Sequence, residues 1–140
     1  DLDGFKGLND TFGHEAGDKA LQEIARRLQA LVRQTDTVAR IGGDEFVLLA
    51  TGLNEPANEG AQVLAQRCID AIAEPLPLDR ARTAIGVSIG IALGDGSETP
   101  RDLLAAADKA MYRAKQGGRG THAMSAANAM PEMSGAASRP

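Results

Sequence analysis

Hydrophobic positions follow helical spacing in three segments of the chain. Over residues 18–32 apolar side chains recur at three- and four-residue steps, and polar side chains fill the opposite face. The same spacing predicts a helix over residues 58–73 and another that begins after Thr99 and stops at Gly117. Thr99 suits an N-cap, and Pro100 suits the first helical position. Three amphipathic helices are therefore predicted.

Strand patterns occupy the intervening segments. Residues 38–41 and 46–49 are two β-prone runs joined by a short glycine-containing loop, which predicts a hairpin. The second run is apolar at every position, which predicts a strand covered on both faces. Residues 83–93 alternate between large apolar and small side chains, so a strand is predicted whose small face admits close approach of another element.

The order helix, hairpin, helix, strand, helix predicts an α+β protein with a mostly antiparallel central sheet flanked by helices. Periodicity ends at about Thr121, where alanine, serine, methionine and proline dominate. Residues 1–120 are therefore predicted to form one domain, and residues 121–140 a disordered tail.

Composition narrows the class of protein. The 140 residues are 43% hydrophobic and 24% charged, as in ordinary globular domains. A net charge of −4 argues against nucleic acid as a partner. The single cysteine, Cys68, cannot form an internal disulfide, which favours a reducing cytoplasm. It lies on an apolar helical stripe and is predicted to be a small buried hydrophobe. No apolar run approaches the roughly 20 residues of a membrane span.

The segment Gly42-Gly43-Asp44-Glu45-Phe46 carries the clearest chemistry. Two glycines allow a sharp turn and close approach of a ligand to the backbone. Two adjacent carboxylates favour a divalent cation, and oxygen ligands suit Mg²⁺. The plainer interpretation is a solvated hairpin turn, but chance would produce this pentapeptide in about one such chain in ten thousand. It is the signature of the GGDEF family of diguanylate cyclases, which the chain resembles.

A second motif opens the chain. Asp1-Leu2-Asp3-Gly4-Phe5-Lys6 resembles the family's Asp-x-Asp-x-Phe-Lys stretch at the end of a central strand. A calcium loop of the EF-hand type is excluded, because Phe5 and Lys6 stand where an acid and a glycine are needed. Gly4 departs from the family, which often has a bulkier residue there. The family also has a helix and most of the central strand ahead of this point, so residues 1–140 alone are expected to be inactive and poorly folded.

The resemblance implies a fold like that of nucleotidyl cyclases and polymerase palms, and roles for particular residues. Asp1, the Leu2 carbonyl and Asp44 would hold Mg²⁺, for which Mn²⁺ can substitute. Glu45 would be the general base or a ligand of a second metal, a role that Asp3 can also fill. The predicted substrate-binding residues are Lys6, Lys115 and Arg119 for the phosphates, and Asn9 and Asp18 for guanine. By itself, the Lys115 and Arg119 pair would be explained by the favourable dipole at a helix C-terminus.

Arg33 and Asp36 match the family's Arg-x-x-Asp inhibitory site for cyclic di-GMP, since they end six residues before Gly42. The alternative is an arginine that ends a helix and an aspartate in the following turn. An arginine and an aspartate would occur together at this fixed position by chance in fewer than about one chain in a hundred. The resemblance therefore implies feedback inhibition by the product.

As a whole, the resemblance implies a diguanylate cyclase that condenses two GTP into cyclic di-GMP. It implies a homodimer, a sensory or receiver domain upstream, and a cytoplasmic location, with the parent protein able to be anchored to the inner membrane. One alternative is a catalytically inactive module that binds GTP or cyclic di-GMP. Another is a palm-type nucleotidyl transferase, although the chain has no basic stripe for a template strand.

Overall fold

The computed structural model describes residues 1–78 and 81–129. Its helices are α1 (Phe5–Phe12), α2 (His14–Leu31), α3 (Ala57–Ala73), α4 (Pro100–Gln116) and α5 (Ala126–Ala129). Its strands are β1 (Leu2–Asp3), β2 (Thr37–Gly42), β3 (Glu45–Leu49), β4 (Leu76–Leu78), β5 (Ala81–Thr83), β6 (Gly86–Val87), β7 (Ile89–Ile91) and β8 (His122–Met124). The predicted α+β class is confirmed. None of the described helices is long and apolar enough to cross a lipid bilayer.

The strands pair two by two. The pairs β1–β6, β2–β3 and β4–β5 are antiparallel, whereas β7–β8 is parallel. Further hydrogen bonds join the pairs: the Leu2 N–H donates to the Asp44 carbonyl at 3.1 Å, and the Ser88 N–H donates to the Asp1 carbonyl at 2.9 Å. β1 therefore lies between the turn of the β2–β3 hairpin and the β6–β7 segment, the neighbours that a central strand requires.

Helices α2 and α3 cover the core. They pack against each other, and α3 also contacts β6 and β7. Ile24, Ile72 and Leu76 are among the largest fully buried side chains. Cys68 is 2% exposed, and burial raises the pKa of its thiol to about 11, so it is an unreactive core residue as predicted.

The three predicted helices are confirmed, although α2 begins at His14 rather than at residue 18. The Thr99 hydroxyl caps α4 by accepting from the Asp102 N–H at 3.1 Å. The predicted close approach to a small face is also confirmed. A Cβ atom at Gly90 would lie 1.9 Å from the Ala107 carbonyl oxygen, so β7 can meet α4 only with glycine there.

Two elements differ from the prediction. The single strand expected over residues 83–93 is divided into β5, β6 and β7, since each segment pairs with a different strand. Helix α1 was not predicted, because it buries only Leu8 and contains Gly7 and Asn9, which are weak helix formers. It begins directly after Gly4, whose φ of 83° lies in the left-handed region that glycine adopts without cost.

Two further expectations fail in part. Strand β3 is not covered on both faces, because Leu49 is 58% exposed at the end of the hairpin. A disordered tail was expected from Thr121 onward, but residues 122–124 form β8 and residues 126–129 form α5. Backbone bonding to β7 organises this segment, and side-chain periodicity does not reveal it. Residues 130–140 lie outside the described part of the chain.

Candidate functional site

The end of β1 meets the turn of the hairpin. The hydrogen bond from the Leu2 N–H to the Asp44 carbonyl holds the two segments together. Gly43 has a φ of 47°, so glycine allows the tight turn between Gly42 and Glu45, which face each other in the ladder. Asp44 and Glu45 are both half-buried. Both acids of the pentapeptide therefore lie next to β1.

Lys115 brings the C-terminal end of α4 to the same place. Its ammonium group pairs with the Asp1 carboxylate, and the two side chains are 25% and 19% exposed. The contacts of Asp1 with Lys115 and of Leu2 with Asp44 thus bring acids and a lysine from separate segments together, and we call Asp1, Asp3, Asp44, Glu45 and Lys115 the acidic edge.

Asp3 is held by two hydrogen-bond donors. The Ser88 hydroxyl lies 3.0 and 2.9 Å from its two carboxylate oxygens, and the Gly120 N–H donates to Oδ2 at 3.0 Å. Ser88 was not predicted, because the alternation of residues 83–93 shows only that it shares the small face of a strand. The pattern does not show which acceptor its hydroxyl meets.

Asn9 and Asp18 lie on the helical hairpin of α1 and α2. The Asn9 Oδ1 atom is buried and accepts no hydrogen bond from the described residues. A Cβ atom on Gly17 would lie 1.8 Å from this oxygen, so glycine at position 17 is what gives the Asn9 amide its room. Gly17 was not predicted. Asp18 follows it directly and is exposed.

The remaining predicted phosphate-binding residues are exposed side chains on either side of the acidic edge. Lys6 lies in the first turn of α1, which follows β1 directly. Arg119 lies in the loop after α4 with a φ of 63°, and its N–H donates to the Ala114 carbonyl at 3.2 Å. Direct contacts therefore join Asp1 to Lys115 and Leu2 to Asp44. Lys6 and Arg119 lie on the segments that follow β1 and α4.

Arg33 and Asp36 form a separate cluster between α2 and β2. The Asp36 carboxylate accepts from the N–H groups of Arg33 at 2.9 Å and Thr51 at 3.2 Å. These bonds, with the Arg33 charge, hold the pKa of Asp36 below its usual value. The Arg33 guanidinium contacts the Thr51 carbonyl and lies 3.4 Å from the Gly52 carbonyl. The pair thus joins the end of α2 to the segment that leaves β3.

The residues expected to hold Mg²⁺ are two carboxylates and a backbone carbonyl, which are the hard oxygen donors that this ion prefers. Within residues 1–78 and 81–129, no three His, Cys, Asp or Glu side chains are already arranged as a metal cage. Asp1 is instead paired with Lys115. The donor set fits the ion chemically.

Several known proteins are similar to this chain in sequence and in fold. The family described as "Diguanylate cyclase, GGDEF domain" matches residues 1–121. The chain is 50% identical over 121 residues to the bifunctional diguanylate cyclase/cyclic di-GMP phosphodiesterase MucR of Pseudomonas aeruginosa, covering 85% of this chain and 17% of MucR. It is 36% identical over 121 residues to diguanylate cyclase A of Treponema denticola, covering 85% and 32%. The chain spans less than a third of either relative.

Solved structures agree. The GGDEF domain of TpbB from Pseudomonas aeruginosa superposes with a TM-score of 0.84 at 40% identity, covering 91% of this chain and 74% of that one. The GGDEF domain of DgcB from Caulobacter crescentus, solved in complex with cyclic di-GMP, gives 0.78 at 30% identity, covering 89% and 73%. The chain belongs to the GGDEF family of diguanylate cyclase domains.

Proposed function

We propose that this domain condenses two GTP molecules into cyclic di-GMP with Mg²⁺ and releases two pyrophosphates. The observation that carries the proposal is the contact between β1, the Asp44 turn and Lys115, which gathers acids and a cation at one edge. Oxygen donors beside a lysine suit a metal-bound triphosphate better than a simple hairpin turn. Intact acids at Asp44 and Glu45 favour an active enzyme over a regulatory module.

Two groups of residues would bind GTP. Lys6, Lys115 and Arg119 would neutralise the phosphates. Asp18 would accept from the N1 and N2 donors of guanine, and Asn9 would pair with the same base through its amide. Gly17 supports this role, because it leaves room for the Asn9 amide on the helical hairpin that also carries Asp18.

The proposed reaction forms one phosphodiester bond at a time. Glu45 takes the proton of a ribose 3′-hydroxyl, and the 3′-oxygen then attacks the α-phosphorus of the other GTP. The bond from that phosphorus to the bridging oxygen breaks, and pyrophosphate leaves. Mg²⁺ held by Asp1, the Leu2 carbonyl and Asp44 would supply the Lewis acid. Lys115 and Arg119 would hold the triphosphate in line for attack.

Each domain would supply one GTP, so two copies must face each other and the active form is a homodimer. Product bound at Arg33 and Asp36 would inhibit the enzyme, and an upstream sensory or receiver domain would control pairing. We place the domain in the cytoplasm, where GTP is available. These features follow from the proposed activity and the family.

The test is to incubate the full-length protein with GTP and Mg²⁺ and to identify products by mass spectrometry. We expect cyclic di-GMP and pyrophosphate, both lost on chelation of Mg²⁺. Binding of GTP or cyclic di-GMP without turnover would instead establish the regulatory module. A linear or longer nucleotide product would establish a nucleotidyl transferase.

A further inference from the structure

Asp3 stands out within the acidic edge because protein donors already occupy its carboxylate. The Ser88 hydroxyl contacts both oxygens, and the Gly120 N–H donates to Oδ2 at 3.0 Å. Gly86 and Gly120 lie beside it, since a Cβ atom at Gly86 would make ordinary contacts of 3.5 Å with Asp3 Oδ2 and 3.9 Å with the Gly120 Cα. Asp3 therefore faces the loop that follows α4.

Ser88 is built to meet this carboxylate. It is fully buried between β6 and β7, where a hydroxyl needs a partner. Its N–H donates to the Asp1 carbonyl at 2.9 Å, which fixes Ser88 against β1. The Ser88 hydroxyl thus has one acceptor group within reach in the described structure, the Asp3 carboxylate.

The loop on the other side of Asp3 is conformationally demanding. Gly118, Arg119 and Gly120 all have positive φ, of 117°, 63° and 59°. Among the described residues, Arg119 is the one residue other than glycine that has a positive φ. Residues with a Cβ atom rarely adopt this backbone conformation. Such a conformation persists when neighbouring contacts hold it. Here the Arg119 N–H bonds the Ala114 carbonyl, and the next residue is bound by Asp3.

We propose that Asp3 is a positioning residue rather than a metal ligand, and that with Ser88 it clamps the 118–120 loop so that Arg119 is held beside the acidic edge. The role of Arg119 toward phosphates rests on the proposed function. The clamp itself rests only on the hydrogen bonds of Asp3, Ser88 and Gly120. The clamp explains why the Asp3 carboxylate, which follows the residues proposed to bind Mg²⁺, is itself bound by protein donors.

Limited trypsin digestion of the full-length protein tests the clamp without any need for activity. Trypsin cleaves after arginine, so a loosened loop is cut faster between Arg119 and Gly120. We expect Asp3→Ala and Ser88→Ala to be cut at least about fivefold faster there than the wild type, because loop opening becomes easier. Asp108→Ala, an exposed acid on α4, is the matched control. Only variants with a cooperative thermal transition are compared, and an unchanged rate at Arg119 in Asp3→Ala would overturn the clamp.

Kinetics separate positioning from metal binding. We expect Asp3→Ala to raise the KM for GTP about tenfold while the Mg²⁺ concentration for half-maximal rate changes less than about twofold. Asp3→Asn should recover most of the loss, because its amide oxygen still accepts from Gly120. An Asn variant as impaired as Ala, with a greatly raised Mg²⁺ requirement, would make Asp3 a ligand and overturn the proposal. A wild-type protein that makes no cyclic di-GMP would overturn the proposed function, and the digestion would still decide the clamp.

Discussion

The acidic edge and the contact between α4 and β7 are built in opposite ways. At the edge, half-buried polar groups from segments far apart in sequence are joined by hydrogen bonds and an ion pair, such as Asp1 with Lys115. At the α4–β7 contact, backbones touch through small residues, with Gly90 against Ala107 and with Ala110 and Ala114 almost fully buried. The first arrangement suits binding a charged ligand, and the second supplies packing.

The two regions share one helix, which makes the comparison informative. α4 packs its small side chains on β7 and presents Lys115 in its last turn to Asp1. The packed region therefore sets the position of a cation that the polar region uses. Substitutions at the edge should change activity with little change in stability, whereas substitutions at the packed contact should lower stability.

The largest effect is expected at the edge from Asp44→Asn. The amide keeps the shape of the side chain but loses the charge proposed to hold Mg²⁺, so cyclic di-GMP synthesis should fall at least about a hundredfold, or about 2.7 kcal/mol in barrier. Turnover of purified full-length protein measures this, with Asp108→Asn as control. Retention of more than about a tenth of the wild-type rate, with an unchanged melting curve, would contradict the metal assignment.

The packed region should respond in stability. At Gly90 an added methyl group meets the Ala107 carbonyl at 1.9 Å and the Met111 nitrogen at 2.4 Å, neither of which can move without moving α4. Gly90→Ala should therefore lower the free energy of unfolding by about 3 kcal/mol. Gly60→Ala in α3 is the control, because its Cβ would make ordinary contacts from 3.6 Å outward. That control should stabilise the protein by about 0.4–1 kcal/mol. Denaturant unfolding that moved both variants alike would refute the close contact.

How much the sequence revealed also differs between the two regions. The helix faces, the hairpin and the small face of residues 83–93 were predictable, because burial imposes a period on side chains. Helix α1 and strand β8 were not, because α1 buries only Leu8 and β8 depends on backbone pairing with β7. At the edge, the motifs named Asp1 and Asp44, but no pattern along the chain shows that Ser88 meets Asp3 across 85 positions.

A smaller effect is expected on nucleotide choice. Asp18 is proposed to accept from guanine N1 and N2, donors that adenine does not present together, so the wild type should strongly prefer GTP to ATP. Asp18→Ala should reduce that preference about tenfold while the melting temperature stays unchanged, because the side chain is exposed. Competition between the two nucleotides in one reaction measures the ratio of kcat/KM. Comparable use of both by the wild type would refute the guanine pocket.

The smallest effects are expected at Arg33 and Asp36, where binding and structure overlap. Arg33→Ala should leave the initial rate near normal and abolish inhibition by added cyclic di-GMP, with little loss of stability, since its guanidinium is largely exposed. Asp36→Ala should lose inhibition too, but should also lower the melting temperature by a few degrees, because the N–H groups of Arg33 and Thr51 lose their acceptor.

The pH dependence of the stability that Asp36 contributes follows from the lowered pKa of its carboxyl group. The folded state lowers the pKa of Asp36 from 3.8, so its stabilisation is complete above that pH and is lost as the pH falls further. The difference in melting temperature between wild type and Asp36→Ala should therefore narrow in acid. An inhibition curve unchanged in Arg33→Ala would leave the pair with a purely structural role.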